Sequence, residues 1–436
     1  MGADPAGDEP PSRLRGVRAW LGLASPAAFS GYAIFAAFTA YFCMYGFRKP
    51  FAAASFAGEG VLGMDLKTTR VLAQVIGYTL SKFMGVKVVT ELAAHRRAVM
   101  LVGLIAFAEL SLLAFGLLPP KLKLVAIFCN GLPLGAVWGL VFGFLEGRRT
   151  SEILGAGLSA SYILASGAVK SVGALLLARG VSEGWMPFVT GLVFLPPFLV
   201  AVWLLQQLPP PAAADVAART QRQPMTGAER AAFFVRFGLG LTLLTGLYTL
   251  LTAYRDFRDN FAAEIWAAVG QSGKPELFTL TEIPVALAVL AGLALLYRIR
   301  DNRRALLAVH VVMGAGSLLI GGATLLFDAG MLGPAPWMVL IGTGLYLAYV
   351  PYGCMLFDRL IAASGAVGTA VFMIYVTDAF GYAGSIGVLL YKLLGHPDLS
   401  WLAFFRGFSY TTAVVCTAAF VGSAWYFARR VPPPAA

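Results

Sequence analysis

Twelve apolar runs of membrane-spanning length restrict this chain to a helical membrane fold. They fall at 29–50, 69–90, 98–118, 122–145, 153–178, 186–208, 232–256, 277–297, 305–327, 335–357, 365–391 and 403–428. A hydrocarbon core about 30 Å thick needs about 20 residues of helix, and each run supplies them. The runs are too long and too continuous for the roughly ten-residue alternation of a membrane barrel strand. Composition agrees: only 13% of residues are charged, against about 25% in soluble proteins. The expected fold class is all-α, a polytopic membrane protein of about twelve helices.

The basic residues orient the runs. With both ends of the chain inside, the inner segments carry 17 Lys and Arg and the outer segments 11. That bias favours cytoplasmic termini for a multi-pass membrane protein. It also accounts for the net charge of +11 without nucleic acid as a partner. The longest polar link, 209–231, opens Pro209-Pro210-Pro211 and divides the chain into six-helix bundles at 29–208 and 232–429. Residues 1–28 and 430–436 read as cytoplasmic tails, the first disordered. Cys43, Cys129, Cys354 and Cys416 all lie in apolar runs, so a disulfide framework is not expected. The three histidines are scattered and no CxxC occurs, so neither a metal nor another cofactor is expected.

A repeat links the bundles. Tyr41 precedes Arg48 by seven residues, as Tyr248 precedes Arg255. Phe51-Ala52-Ala53 follows the first arginine and Phe261-Ala262-Ala263 the second. An arginine at matching depth in each half suits a repeat-built transporter with its site between the halves. Two arginines snorkelling to the interface are the other reading. Apolar sequence resumes after Arg48, which favours a helix of about thirty residues with the arginine inside it. Facing lipid at a helix centre, it would cost roughly 2.5–3.5 kcal/mol.

Other charges lie deep in apolar runs: Lys82 in the second, Lys170 in the fifth and Asp378 in the eleventh. Superposing Gly155 on Gly365 puts Lys170 two positions from Asp378, which suggests an ion pair between the halves, structural or gating. Asp256, Arg258 and Asp259 crowd beside Arg255, where they would brace it or form an outer gate. Arg48, Arg255 and Lys82 together would bind an anion with at least two acceptor oxygens, since arginine offers a planar fork and lysine a point charge. Tyr45 and Tyr78 add hydroxyl groups. Glu109, in the third run, reads as packed against a neighbouring helix. Gly131, Gly135, Gly139 and Gly143 mark one face of the fourth run for close helix contact.

Two of these stretches carry a family resemblance. Tyr45-Gly46-Phe47-Arg48-Lys49-Pro50-Phe51 resembles the Tyr-x-x-Arg-Lys-x-Phe signature of organophosphate:phosphate antiporters in the major facilitator superfamily. Tyr78-Thr79-Leu80-Ser81-Lys82-Phe83 resembles that branch's second-helix signature. The resemblance implies two six-helix halves around a central cavity, with Arg48 and Arg255 as phosphate-binding arginines and Lys82 beside them. The branch's fifth-helix histidine is absent: 159–164 reads Ser-Ala-Ser-Tyr-Ile-Leu. The chain as a whole is also similar to an uncharacterised bacterial group of major-facilitator-like membrane proteins.

The expected activity is alternating-access transport of a small anion by a monomer in the lipid bilayer. A membrane receptor that binds the anion and signals is the alternative. An enzyme is not expected, as no His-x4-Asp or GxSxG pattern or metal cluster is present.

Overall fold

The computed structural model describes residues 16–56, 65–148, 150–211, 215, 227–364, 370–396 and 398–431, and among them it is all-helical. The first half comprises α1 (Val17–Leu23), α2 (Pro26–Met44), α3 (Leu66–Glu91), α4 (Arg97–Leu117), α5 (Pro120–Leu134) continued by α6 (Val137–Phe142), α7 (Ser151–Ala178) and α8 (Met186–Gln206). The second begins with α9 (Gly227–Asn260) and the short α10 (Ala262–Ala268) and α11 (Leu277–Leu280). It continues through α12 (Glu282–Tyr297), α13 (Asn302–Asp328), α14 (Pro334–Cys354), α15 (Leu356–Ser364), α16 (Ala370–Leu390) and α17 (Trp401–Arg430).

Eleven segments among the described residues are long and apolar enough to cross a membrane. The remaining long helix is α3, whose 26 residues include Lys67, Arg70 and Lys82, all buried. These three charges are therefore directed into protein rather than lipid, the arrangement a bilayer demands.

The halves repeat each other in packing. In the first, α2 lies against α7 and α8, α3 against α5, and α4 against α5 and α8. In the second, α9 lies against α16 and α17, α12 against α14, and α13 against α14 and α17. The same five pairings therefore recur between corresponding spans. Across the halves, α3 meets α16, while α7 meets α12 and α14. Close approach is built in: a Cβ on Gly131 would stand 2.3 Å from the Gln74 carbonyl oxygen, and one on Gly135 2.6 Å from Ser81 Cβ. The glycine face of the fourth span is thus the seat of α3.

Three expectations change. Val17–Leu23, read as part of a disordered tail, forms α1, which buries Leu21 and sets Trp20 edge-on to Tyr32. Arg48 is not inside a thirty-residue helix. The α-helix ends at Met44, a 3₁₀ turn covers Tyr45–Phe47, and a second covers Pro50–Ala53. Pro50 has no N–H to continue the ladder, and its ring opposes helix in the preceding turn. The seventh span, without such a proline, runs on to Asn260 rather than stopping near 256. The opening of the eleventh span at 365–367, Arg149, and most of the 209–231 link and the two tails lie outside the described residues.

Candidate functional site

Between the halves lies a cavity of ≈ 40 Å³. A water needs about 10–15 Å³ on this measure, so the space suits a few waters. Lys82 of α3, Arg255 of α9 and Asp378 of α16 line it, with a wall of tyrosines that includes Tyr45, Tyr248, Tyr349 and Tyr382. Of the five residues expected to bind substrate, Lys82, Arg255 and Tyr45 reach the cavity. Arg48 and Tyr78 stand just behind its wall, against Tyr382.

The two arginines meet at one hydroxyl. Arg255 Nη2 donates to Tyr382 Oη at 2.8 Å, and Arg48 Nη1 reaches the same oxygen at 3.4 Å. Neither snorkels: Arg48 is 2% exposed and Arg255 7%. Their surroundings differ. Arg255 also donates to Asp256 at 3.0 Å and to the Tyr349 hydroxyl. Arg48 stacks over the Tyr78 ring at 3.7 Å, and no carboxylate among the described residues lies within ion-pair distance of it. The Arg48 turn is itself anchored through its backbone. Gln74 donates to the Arg48 carbonyl at 3.0 Å, and Asn130 donates to the Phe47 carbonyl at 3.0 Å. Gly46 lies flush on Phe194, where a Cβ would approach the ring to 2.6 Å.

The expected Lys170–Asp378 pair does not form. Lys82 Nζ binds Asp378 Oδ2 at 2.6 Å, and Lys170 Nζ binds Asp259 Oδ1 at 2.8 Å. The reason is topological: α16 packs on α3, whereas α7 packs on α12 and α14. Matching depth in the two halves does not make neighbours.

Asp259 is a hub at the end of the bundle where residues 45–53 turn. It takes Lys49 at 2.7 Å as well as Lys170 and the Ser166 hydroxyl. Lys49 also donates to Asn260 at 2.7 Å. Lys67 pairs with Glu264 at 2.5 Å close by. Arg258 turns away from Arg255 and pairs with Glu282 at 2.8 Å. Asp256 braces Arg255 and accepts from Ser385 at 3.0 Å. At the opposite end, Arg359 of the second half holds Glu152 of the first at 2.9 Å. Glu109 packs against Gly191 of α8, with both carboxylate oxygens buried and without a hydrogen-bond partner among the described residues.

Sequence reading missed Tyr382 and Tyr349. Tyr382 had a signal, because it lies four residues after Asp378 and so shares its helix face. Tyr349 had none beyond its place in an apolar run.

The fold, two halves whose membrane-spanning helices repeat the same packing, has solved counterparts. Three solved structures share it. A D-xylose-proton symporter matches with a TM-score of 0.60 and 14% identity, over 94% of this chain and 98% of that one. A bacterial homologue of the human lysosomal transporter Spinster, inward-facing and unoccupied, matches with 0.60 and 13%, over 94% and 100%. An auto-inhibited peptide transporter of the POT family matches with 0.56 and 13%, over 93% and 97%. No curated protein matches the chain in sequence. By its sequence the chain belongs to the family described as "Family of unknown function (DUF5690)", whose model matches residues 50–430.

Proposed function

We propose that this protein is a secondary transporter of a small anion, phosphate or an organophosphate, that works as a monomer by alternating access. Arg48 and Arg255 clamp the anion and Lys82 adds charge. In this reading the chain sits in a bacterial inner membrane with both termini cytoplasmic, so the Arg359 end faces the cytoplasm.

The observation that carries the reading is Arg48. A guanidinium taken out of water costs several kcal/mol, and a buried carboxylate is its usual compensation. Arg48 has a ring and one distant hydroxyl instead. An anion between Arg48 and Arg255 would complete both forks, with an oxygen where Tyr382 Oη now stands. The charge balance agrees. Among the described residues, Arg48 and the seven ion pairs above set eight basic side chains against six acidic ones, a surplus that a divalent anion would cancel. The links at the two ends then serve as gates. Lys49, Lys67 and Lys170 cross the halves at one end and Arg359 at the other, and each set must part for its side to open. With a cavity of ≈ 40 Å³ between them, the halves stand close together, and in this reading they must part to admit the anion.

Uptake of radiolabelled phosphate into liposomes preloaded with phosphate tests this reading. Exchange is expected for the wild type and background uptake for Arg48→Lys, which keeps the charge and loses the fork. Normal exchange by Arg48→Lys sinks the clamp. Specific phosphate binding without exchange turns the reading to a receptor.

A further inference from the structure

A second cavity lies between the halves, at the end of the bundle opposite the 45–53 turn, with a volume of ≈ 620 Å³. Glu152 of α7 lines it from the first half. The rest of its lining belongs to the second half: Tyr297 at the end of α12, Arg298, Ile299 and Arg300 in the link to α13, and Arg359 of α15. Three guanidiniums therefore face one carboxylate among the described residues. The central cavity has room for a few waters, whereas this one has the size of a small-molecule site, about 300–1,000 Å³.

The arginines are not engaged elsewhere. Arg298 and Arg300 are exposed and make no ion pair or side-chain hydrogen bond among the described residues. The acid nearest them in sequence, Asp301, caps α13 through the Arg304 N–H at 2.6 Å. The next arginine, Arg303, donates to the Val431 and Ala428 carbonyls. Arg359 is 8% exposed and only partly satisfied. Its Nη1 donates to Asn302 Oδ1 and its Nη2 to Glu152 Oε2, both at 2.9 Å, while Nε is buried without a partner among the described residues. Nε and Nη2 form one edge of the guanidinium, the edge that receives two oxygens of a carboxylate or phosphate side by side. Glu152 supplies that edge with one.

We propose that this cavity is a second anion site, for a phosphate group, and that its ligand competes with Glu152 for Arg359. A phosphate sets two oxygens on the Nε–Nη2 edge where Glu152 sets one, and turns its others to Arg298 and Arg300. Arginine suits this recognition better than lysine does, because its donors are planar and fixed. All three arginines lie on the second half, so the ligand is held without the first. Glu152 is the first half's contribution, and the ligand releases it. A link between the halves is thus exchanged for contacts within one of them, and the Arg359 end opens more easily. By linkage the same site binds more tightly when that end is open. Free phosphate and the phosphate of an anionic lipid headgroup make the same contacts. The site does not depend on the central one, and it stands whether or not the chain transports phosphate.

The experiment measures the gap at that end in the full chain. Nitroxide labels on cysteines placed at Gln206 of α8 and Ala362 of α15, both exposed, report the distance between the halves by pulsed electron resonance in a cysteine-free background. The protein is measured in phosphatidylcholine nanodiscs with and without inorganic phosphate, and in phosphatidylglycerol nanodiscs without it. Glu152→Gln removes the competing carboxylate. It should widen the gap without ligand and lower the half-saturating phosphate concentration by roughly tenfold. Arg298→Gln/Arg300→Gln changes two exposed side chains, and a thermal melt checks that it folds. Widening with inorganic phosphate that disappears in this double variant is the expected result and makes free phosphate the ligand. Widening in phosphatidylglycerol that disappears in the same variant also supports the site and makes a lipid headgroup the ligand. Widening that persists in the double variant belongs to the central cavity and overturns the second site. An unchanged gap under all these conditions, with Glu152→Gln widened, overturns it as well. An unchanged gap in Glu152→Gln overturns the competition for Arg359.

Discussion

Arg48 and Arg255 occupy corresponding places in the two halves and meet at the same hydroxyl, yet they are held in opposite ways. Arg255 belongs to an unbroken helix and is tied to Asp256, Tyr349 and Tyr382. Arg48 follows a broken helix and is held through its backbone and a ring face. Pro50 makes the break, and the 3₁₀ turns it permits carry Arg48 inward rather than along the helix axis. One arginine is part of the architecture and the other is kept charged and incomplete. A ligand that binds both gains most at the incomplete one.

Stability should separate the two arginines most. Arg255→Met leaves the Asp256 carboxylate buried without its partner, and such losses cost about 3–5 kcal/mol. Arg48→Met strands no carboxylate. Thermal melts of detergent-solubilised protein should therefore show a large fall for Arg255→Met and little change, or a rise, for Arg48→Met. Equal falls would mean that the two arginines are both structural.

Phosphate binding comes next in size. Arg48→Lys removes two-pronged recognition, and a lost charged hydrogen bond costs about 1.5–3 kcal/mol, or roughly tenfold to a hundredfold in affinity. Titration by the phosphate-induced rise in melting temperature measures it. Unchanged affinity would place the anion elsewhere. Tyr382→Phe sharpens the same point. It removes the oxygen on which both arginines converge and should cost about 1 kcal/mol without ligand. Phosphate should then stabilise this variant more than the wild type, because it no longer competes with the hydroxyl. Equal stabilisation would show that the Tyr382 hydroxyl does not occupy the anion's place.

Most of the architecture was legible in the sequence because bilayer physics acts on one helix at a time. Run length set the spans, and the repeat of Tyr41–Arg48 in Tyr248–Arg255 marked the two halves. Burial of Lys82, Lys170 and Asp378 followed from their positions deep in apolar runs. Their partners did not follow, because a hydropathy run gives depth in the bundle and not which neighbour a face meets. Superposing the fifth span on the eleventh equated helices that occupy equivalent places in different halves, and equivalent places do not touch. The contacts between halves run from α3 to α16 and from α7 to α12 and α14, which exchanges the partners of Lys82 and Lys170. The break at Pro50 was visible as a proline, but the apolar residues after it outweighed it in the reading.

The smallest expected effect tests the gate beyond the site. Asp259 is bound by two lysines of the first half, Lys49 and Lys170, each within 3 Å. Lys170→Met removes one and leaves Asp259 paired, so the loss should be about 1 kcal/mol, far below that of Arg255→Met. It should nevertheless shift the conformational equilibrium, because every bond it breaks crosses between α7 and α9 at one end of the bundle. Opening at that end should become easier by about fivefold, while the Arg359–Glu152 link at the other end is untouched. Cysteine accessibility measures this directly. In a cysteine-free background, a single cysteine at Ala53, in the turn near this gate, should react faster with a membrane-impermeant maleimide in Lys170→Met than in its parent. Reaction at an unchanged rate would mean that Lys49 alone holds the gate, and that the second lysine serves packing rather than closure.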